Sequence, residues 1–168
     1  LSFSGLTCVY TDGQKITYNK EETILKNLML HGQFNRSYRF SITEPGFACG
    51  ISFKPTTLHK LTDLDVSKFS DKYYIFNEIS NVLSNKLEPI FKKHKNDFPT
   101  LFNHLEKLLL ELPLIENKNT IAIDNVIDII NLKEGMISVN ELLEKIPFGQ
   151  KTLETQFKKM VGLTPCKF

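Results

Sequence analysis

Gln150, Lys151, Glu154, Thr155 and Lys158 recur at the spacing that lines polar side chains along one side of a helix. Their chemistry is recognition, not bond breaking. An amide, a carboxylate and a hydroxyl can match base edges in a major groove, and a lysine such as Lys158 can meet a phosphate. The remaining reactive types form no such set. His31, His59, His94 and His104 follow no metal-ligand spacing, and Cys8, Cys49 and Cys166 make no CxxC or Cys/His pattern. Ser2, Ser4 and the cysteines lack a partner arrangement for nucleophilic attack. Asp63, Asp65 and Asp71 sit in a loop-like region and read as caps and turn residues. Tyr73, Tyr74 and Phe76 read as core, with a ligand-pocket lining as the alternative. The expectation is therefore no catalytic residue, no metal, no cofactor and no enzyme activity.

Bulk properties set the frame for these groups. A chain of 168 residues with 41% hydrophobic content can bury a sizeable core, in one large domain or two small ones. A net charge of +2 does not by itself imply a polyanion partner, but Gln150–Phe168 carries four lysines against Glu154 alone. The three scattered cysteines suit free thiols in a reducing compartment. Leu-Ser-Phe-Ser-Gly has neither the basic nor the apolar region of a signal peptide, and lacks an initiator Met. The longest apolar stretch, near Leu108–Ile115, is broken by Glu111 and Pro113. A cytoplasmic location without membrane contact is expected.

The elements that must position the polar set begin with strands. Leu6–Tyr10, Lys15–Tyr18, Leu28–Phe34, Tyr38–Ile42 and Phe47–Phe53 are β-prone, with turn signals at Thr11-Asp12-Gly13 and Glu44-Pro45-Gly46. After Pro55 the period becomes helical. Thr57–Leu61 makes a short turn, and Ile79, Val82, Leu83, Leu87, Ile90 and Phe91 line a helix that Pro89 should kink or split. Asp97-Phe98-Pro99 opens another helix that Pro113 ends, and a further helix runs from Ile121 to about Leu132. The polar stretch Glu116–Thr120 is the best boundary in the chain. The fold class is α+β: a small antiparallel sheet or barrel at residues 1–115 with packed helices, then residues 119–168 carrying a helix-turn-helix.

That last unit is the most explicit. Ser138-Val-Asn-Glu141 is a capping box, and Val139, Leu142, Leu143 and Ile146 form one apolar stripe. Pro147-Phe148-Gly149 breaks the helix, and a second begins near Gln150 with Leu153, Phe157, Met160 and Val161 on its stripe. Gly162 is placed to end it in the left-handed conformation. Two short helices joined by a tight Gly-containing turn describe a helix-turn-helix, although a helical hairpin in a bundle shows similar spacing.

ISVNELLEKIPFGQKTLETQFKKMVGLTPCKF resembles the first helix-turn-helix of AraC/XylS-type bacterial transcription regulators. The likeness rests on Ile137-Ser138-Val139 with Glu141-Leu142, on Leu153 and Phe157-Lys158-Lys159, and on Gly162-Leu-Thr-Pro165 with Phe168. Gly32-Gln33, Gly50–Pro55 and the helices after them are similar to an uncharacterised N-terminal domain of one subset of these regulators. The resemblance implies binding to double-stranded promoter or operator DNA, an N-terminal domain for effector sensing or dimerisation, and hence a small-molecule effector and a homodimer as expected partners. It also implies that Thr164-Pro165 starts a joining helix to a second helix-turn-helix beyond Phe168, so that the chain is a fragment. Two positions depart from the family pattern: Thr155 stands where Arg is usual, and Gly149 where Ser commonly caps the recognition helix. The alternative function is a small-molecule-binding or cupin-like enzymatic barrel with a helical extension.

Overall fold

The computed structural model describes residues 3–168; Leu1 and Ser2, and with them the reading of Ser2, lie outside the described residues. The order is β1 (Gly5–Val9), β2 (Gln14–Tyr18), β3 (Glu21–Ile24), β4 (Asn27–His31), β5 (Arg39–Ile42), β6 (Ala48–Ser52), α1 (Thr57–Thr62), a 3-10 turn (Val66–Phe69) and β7 (Tyr73–Ile75). Then come α2 (Phe76–Ile79), α3 (Asn81–Lys93), α4 (Phe98–Glu111), α5 (Lys118–Leu132), α6 (Val139–Leu143), α7 (Gln150–Val161) and a closing 3-10 turn (Pro165–Lys167). The fold is α+β, with antiparallel sheets first and helices after.

Strands β6-β1-β4-β7 form one antiparallel sheet and β3-β2-β5 a second. Strands β1 and β4 are covered on both sides, which is why GLTCV and NLMLH are nearly continuous apolar runs and not alternating ones. Leu6, Cys8, Leu28 and Leu30 face a helical layer with Leu58, Phe76, Leu87, Phe91, Leu101 and Leu105. Val9 and Met29 face the other way and meet Ile16 of the second sheet and Leu25, which follows β3.

Two strands fall outside the sequence expectation. Strand β3 is joined to β2 by Asn19 and Lys20, both left-handed at φ 49° and 69°. That is the geometry of a two-residue type I′ turn, built here without the glycine that normally signals it. The strand itself is acidic and exposed, as suits a sheet edge, and its Glu22 pairs with Lys15 at 2.8 Å. Strand β7 lies in what reads as helical sequence and closes the first sheet beside β4. Pro89 does not split α3, which runs unbroken through it; the break lies at Ser80, between α2 and α3.

Other local readings are found in place. Asp63 ends α1 in the left-handed region, Asp65 accepts from the Ser67 N–H at 3.1 Å, and Asp71 accepts from the Asn35 N–H at 2.7 Å. Phe76 is core; Tyr73 and Tyr74 are half-buried, Tyr73 against His31 and Tyr74 against Phe69. Glu116–Thr120 differs from its reading as a boundary ahead of a helix from Ile121: α5 already begins at Lys118, where the Asn117 side-chain oxygen accepts from the Thr120 N–H and the Thr120 hydroxyl accepts from the Asn117 N–H.

Candidate nucleic-acid interface

Helix α6 starts where its capping box requires. Ser138 Oγ accepts from the Glu141 N–H at 3.2 Å, and Glu141 Oε2 accepts from the Ser138 N–H at 2.9 Å. These bonds from Ser138, first its backbone and then its hydroxyl, hold the Glu141 carboxyl below the usual range. Leu142 is buried, and Val139, Leu143 and Ile146 are partly buried against the same cluster. The helix itself is one turn shorter than its stripe, ending at Leu143.

Helix α7 spans Gln150–Val161, and Gly162 follows at φ 94°, donating its N–H to Lys158 O at 2.9 Å. The left-handed C-terminal glycine is thus realised as the sequence implies. Gly149 begins the helix with no side-chain cap, leaving first-turn N–H groups open at that end. Leu153, Phe157, Met160 and Val161 are buried among Ile123, Val126, Ile127 and Ile130 of α5 and Leu142 of α6. Phe157 meets Phe168 edge-on at 5.5 Å between ring centroids.

On the opposite side Gln150, Lys151, Thr155 and Lys158 are exposed and Glu154 is half-buried. The structure brings these five side chains onto one face, yet they are not equally free. Gln150 Nε2 donates to Glu154 Oε1 at 2.9 Å, so amide and carboxylate fix each other across one turn. The Thr155 hydroxyl donates to Lys151 O at 2.7 Å, which pins its rotamer. Lys151 and Lys158 project without an ion-pair partner among the described residues.

Sequence reasoning did not foresee how firmly α7 and α5 are held by the N-terminal part. The end of α7 packs on the 3-10 turn Val66–Phe69 and on α1. Ser70 Oγ donates to Gly162 O at 3.1 Å, and Val161, Gly162 and Leu163 are all buried. Gln33 is fully buried beside Gly162, and neither amide atom finds a hydrogen-bond partner among the described residues. On α5, Asp124 accepts from the Thr56 hydroxyl at 2.6 Å and from the Lys60 ammonium at 2.5 Å, while Glu116 lies 3.3 Å from Lys60. Thr56 is the residue before α1, where a hydroxyl ordinarily caps the helix; here it is turned to α5 instead. A cavity of about 560 Å3 opens beside this contact, lined in part by Lys54, Thr56, Lys60, Asp124, Asp128 and Asn131.

The four histidines do not converge. His59 is buried with Nδ1 2.7 Å from Leu64 O, His31 Nδ1 lies 3.3 Å from Gly32 O, and the His94 and His104 rings meet tilted at 4.6 Å between centroids on the helical side. Among the described residues no three His, Cys, Asp or Glu side chains gather as a metal site, and no helix is long and apolar enough to cross a membrane.

A family model described as a domain of unknown function, DUF6597, matches residues 6–74. The match runs from within β1 to within β7 and takes in Gly32-Gln33, Gly50–Pro55 and α1 of the part likened above to an uncharacterised N-terminal domain, but not the helices from α2 onward. No curated protein and no solved structure shows a significant match to the chain.

Proposed function

We propose that the chain is a DNA-binding transcription regulator of the AraC/XylS type, with residues 119–168 acting as a helix-turn-helix on double-stranded DNA. The observation that carries this reading is α7. One side of it is fully buried, while Lys151, Thr155 and Lys158 stand exposed with Gln150 and Glu154 beside them on the other. A helix held rigidly from behind and polar in front is what insertion into a major groove requires. Gln150, Lys151, Glu154 and Thr155 face the base edges, and Lys158, nearer the helix end, meets the backbone. Residues 1–115 serve as a sensor or assembly domain. A small-molecule effector seated in the cavity beside Lys60 and Asp124 would bear directly on α5, and through it on α7.

One recognition helix offers few phosphate contacts, so the chain alone binds duplex DNA weakly, with Kd in the range of roughly 10⁻⁴–10⁻⁶ M at physiological salt. The test is selection of duplexes from a random pool by the protein, followed by anisotropy titrations of Ala variants over a salt series. Lys158→Ala should weaken binding to all sequences and reduce the salt slope by about 1. Changes at Lys151, Glu154 and Thr155 should alter which sequences are selected. Unchanged affinity and preference in all three would show that α7 is not the reader.

A further inference from the structure

Strands β1 and β6 place Cys8 and Cys49 directly opposite one another. Facing residues of an antiparallel pair have Cα atoms about 4.5–5.5 Å apart and Cβ atoms about 4.5–5.5 Å apart. A disulfide spans Cα separations of about 4.4–6.8 Å and Cβ separations of about 3.5–4.5 Å, so the backbone is already within bridging range. Both side chains lie on the helical side of the sheet, Cys8 within the core and Cys49 against it. Tyr10, two residues along from Cys8, brings its hydroxyl 3.4 Å from Cys49 Sγ and donates to Phe91 O at 3.1 Å. Cys49 is half-exposed on a strand at the sheet edge and lines a surface cavity of about 280 Å3, whereas Cys8 is buried.

We infer that Cys8 and Cys49 are a peroxide-oxidisable dithiol that closes into an intramolecular cross-strand disulfide. The accessible member reacts first. The Cys49 thiolate attacks one oxygen of a hydroperoxide, the O–O bond breaks, and Cys49 becomes a sulfenic acid as the other oxygen leaves, protonated, as water or an alcohol. The Cys8 sulfur then attacks the sulfenic sulfur, forming the S–S bond and breaking S–O, and the hydroxyl leaves as water with the remaining thiol proton. Two electrons pass from the pair of sulfurs to the peroxide, and nothing else is consumed.

The buried partner governs the second step. Cys8 faces Tyr10 just past the end of its strand, Cys49 on β6, and Glu88 and Lys92 on α3, with Lys95 lining the cleft beside it. Burial, against the Tyr10 hydrogen bond, pushes its thiol up to about 11. Ring closure therefore quickens as pH rises toward that value.

The experiment uses the whole chain carrying Cys166→Ser, which removes the exposed third thiol. Reduced protein is treated with hydrogen peroxide, remaining thiols are alkylated, and peptides are mapped by mass spectrometry without reduction. The expected result is a Cys8–Cys49 linked peptide whose mass is lower by two hydrogens, with both thiols recovered after a reductant. With Cys8→Ser added, Cys49 should stop at a sulfenic acid that dimedone traps. With Cys49→Ser added, Cys8 should stay alkylatable once the protein is unfolded. Two unoxidised thiols, or Cys49 driven to sulfinic acid with Cys8 still free, would overturn the inference. None of these outcomes depends on whether α7 reads DNA.

Discussion

Replacing Asp124 by Ala releases two groups on the N-terminal part at once. The Thr56 hydroxyl, 4% exposed with its residue, loses its 2.6 Å acceptor, and the Lys60 ammonium, on a side chain 9% exposed, loses its 2.5 Å partner. Hydrogen bonds to charged groups contribute about 1.5–3 kcal/mol each, but Asp124 is itself about a third exposed, so solvent screening favours the low end. Glu116 stays 3.3 Å from Lys60 but is mostly exposed and compensates little. The expected loss is about 2–3 kcal/mol. Lys60→Met alone should cost less, about 1 kcal/mol, because the carboxylate left behind can hydrate. The double variant strands no buried cation, so it should be more stable than the sum of the two losses by about 1–2 kcal/mol. Urea unfolding of the four proteins, followed by circular dichroism, measures the cycle. Burial pulls the Lys60 pKa down, yet Asp124 and Glu116 outweigh it and leave it raised above 10.5. The pair's contribution is then complete below the ordinary lysine value and lost only as pH climbs through the raised one, so the differences should not change across neutral pH. Losses that simply add, within about 0.3 kcal/mol, would show that this contact does not couple α1 to α5.

Phe157→Ala, at a fully buried site against Phe168, should cost about 3–5 kcal/mol, whereas Lys151→Ala and Thr155→Ala should each stay within about 0.5 kcal/mol; thermal melts of the three compare them directly. Burial lowers the His31 pKa below the ordinary 6.5, so between those two values the unfolded chain binds a proton that the folded one refuses. Stability should therefore fall as pH drops below about 6.5, and His31→Gln should flatten that fall; identical urea midpoints from about pH 7.5 to about pH 5.5 in both proteins would refute it.

What the sequence disclosed followed how local each signal is. The Ser138–Glu141 box and the left-handed Gly162 involve residues within one turn, so residue type alone announces them. The box at Asn117 uses Thr120 in place of the usual Glu or Gln and passes as a polar linker. The turn at Asn19-Lys20 lacks its expected glycine, and β3 is hidden with it. Strand β7 has only three residues, too few for a period, and is a strand because β4 offers it an edge. The five polar positions of α7 were legible from their spacing; the Gln150–Glu154 and Thr155–Lys151 bonds that restrain them were not. Farthest from view was Lys60 with Asp124, since nothing local ties residues 64 apart.

The junction at Gly162 also bears on how such a chain can be reshuffled over evolutionary time. Gly162 sits so close to Val66, Ser70 and Gln33 that a Cβ there would lie 3.4 Å from each, and Ser70 Oγ donates to Gly162 O at 3.1 Å, so a helical half moved onto another partner would lose this fit. Opening the seam forfeits that hydrogen bond, a net contribution of about 0.5–1.5 kcal/mol, and uncovers part of the fully buried Val66. A recombination event here therefore succeeds only when the incoming partner brings its own counterpart to Val66 and Ser70. The seam behaves as a lock on ancestry, and the two halves are expected to be inherited together more often than traded.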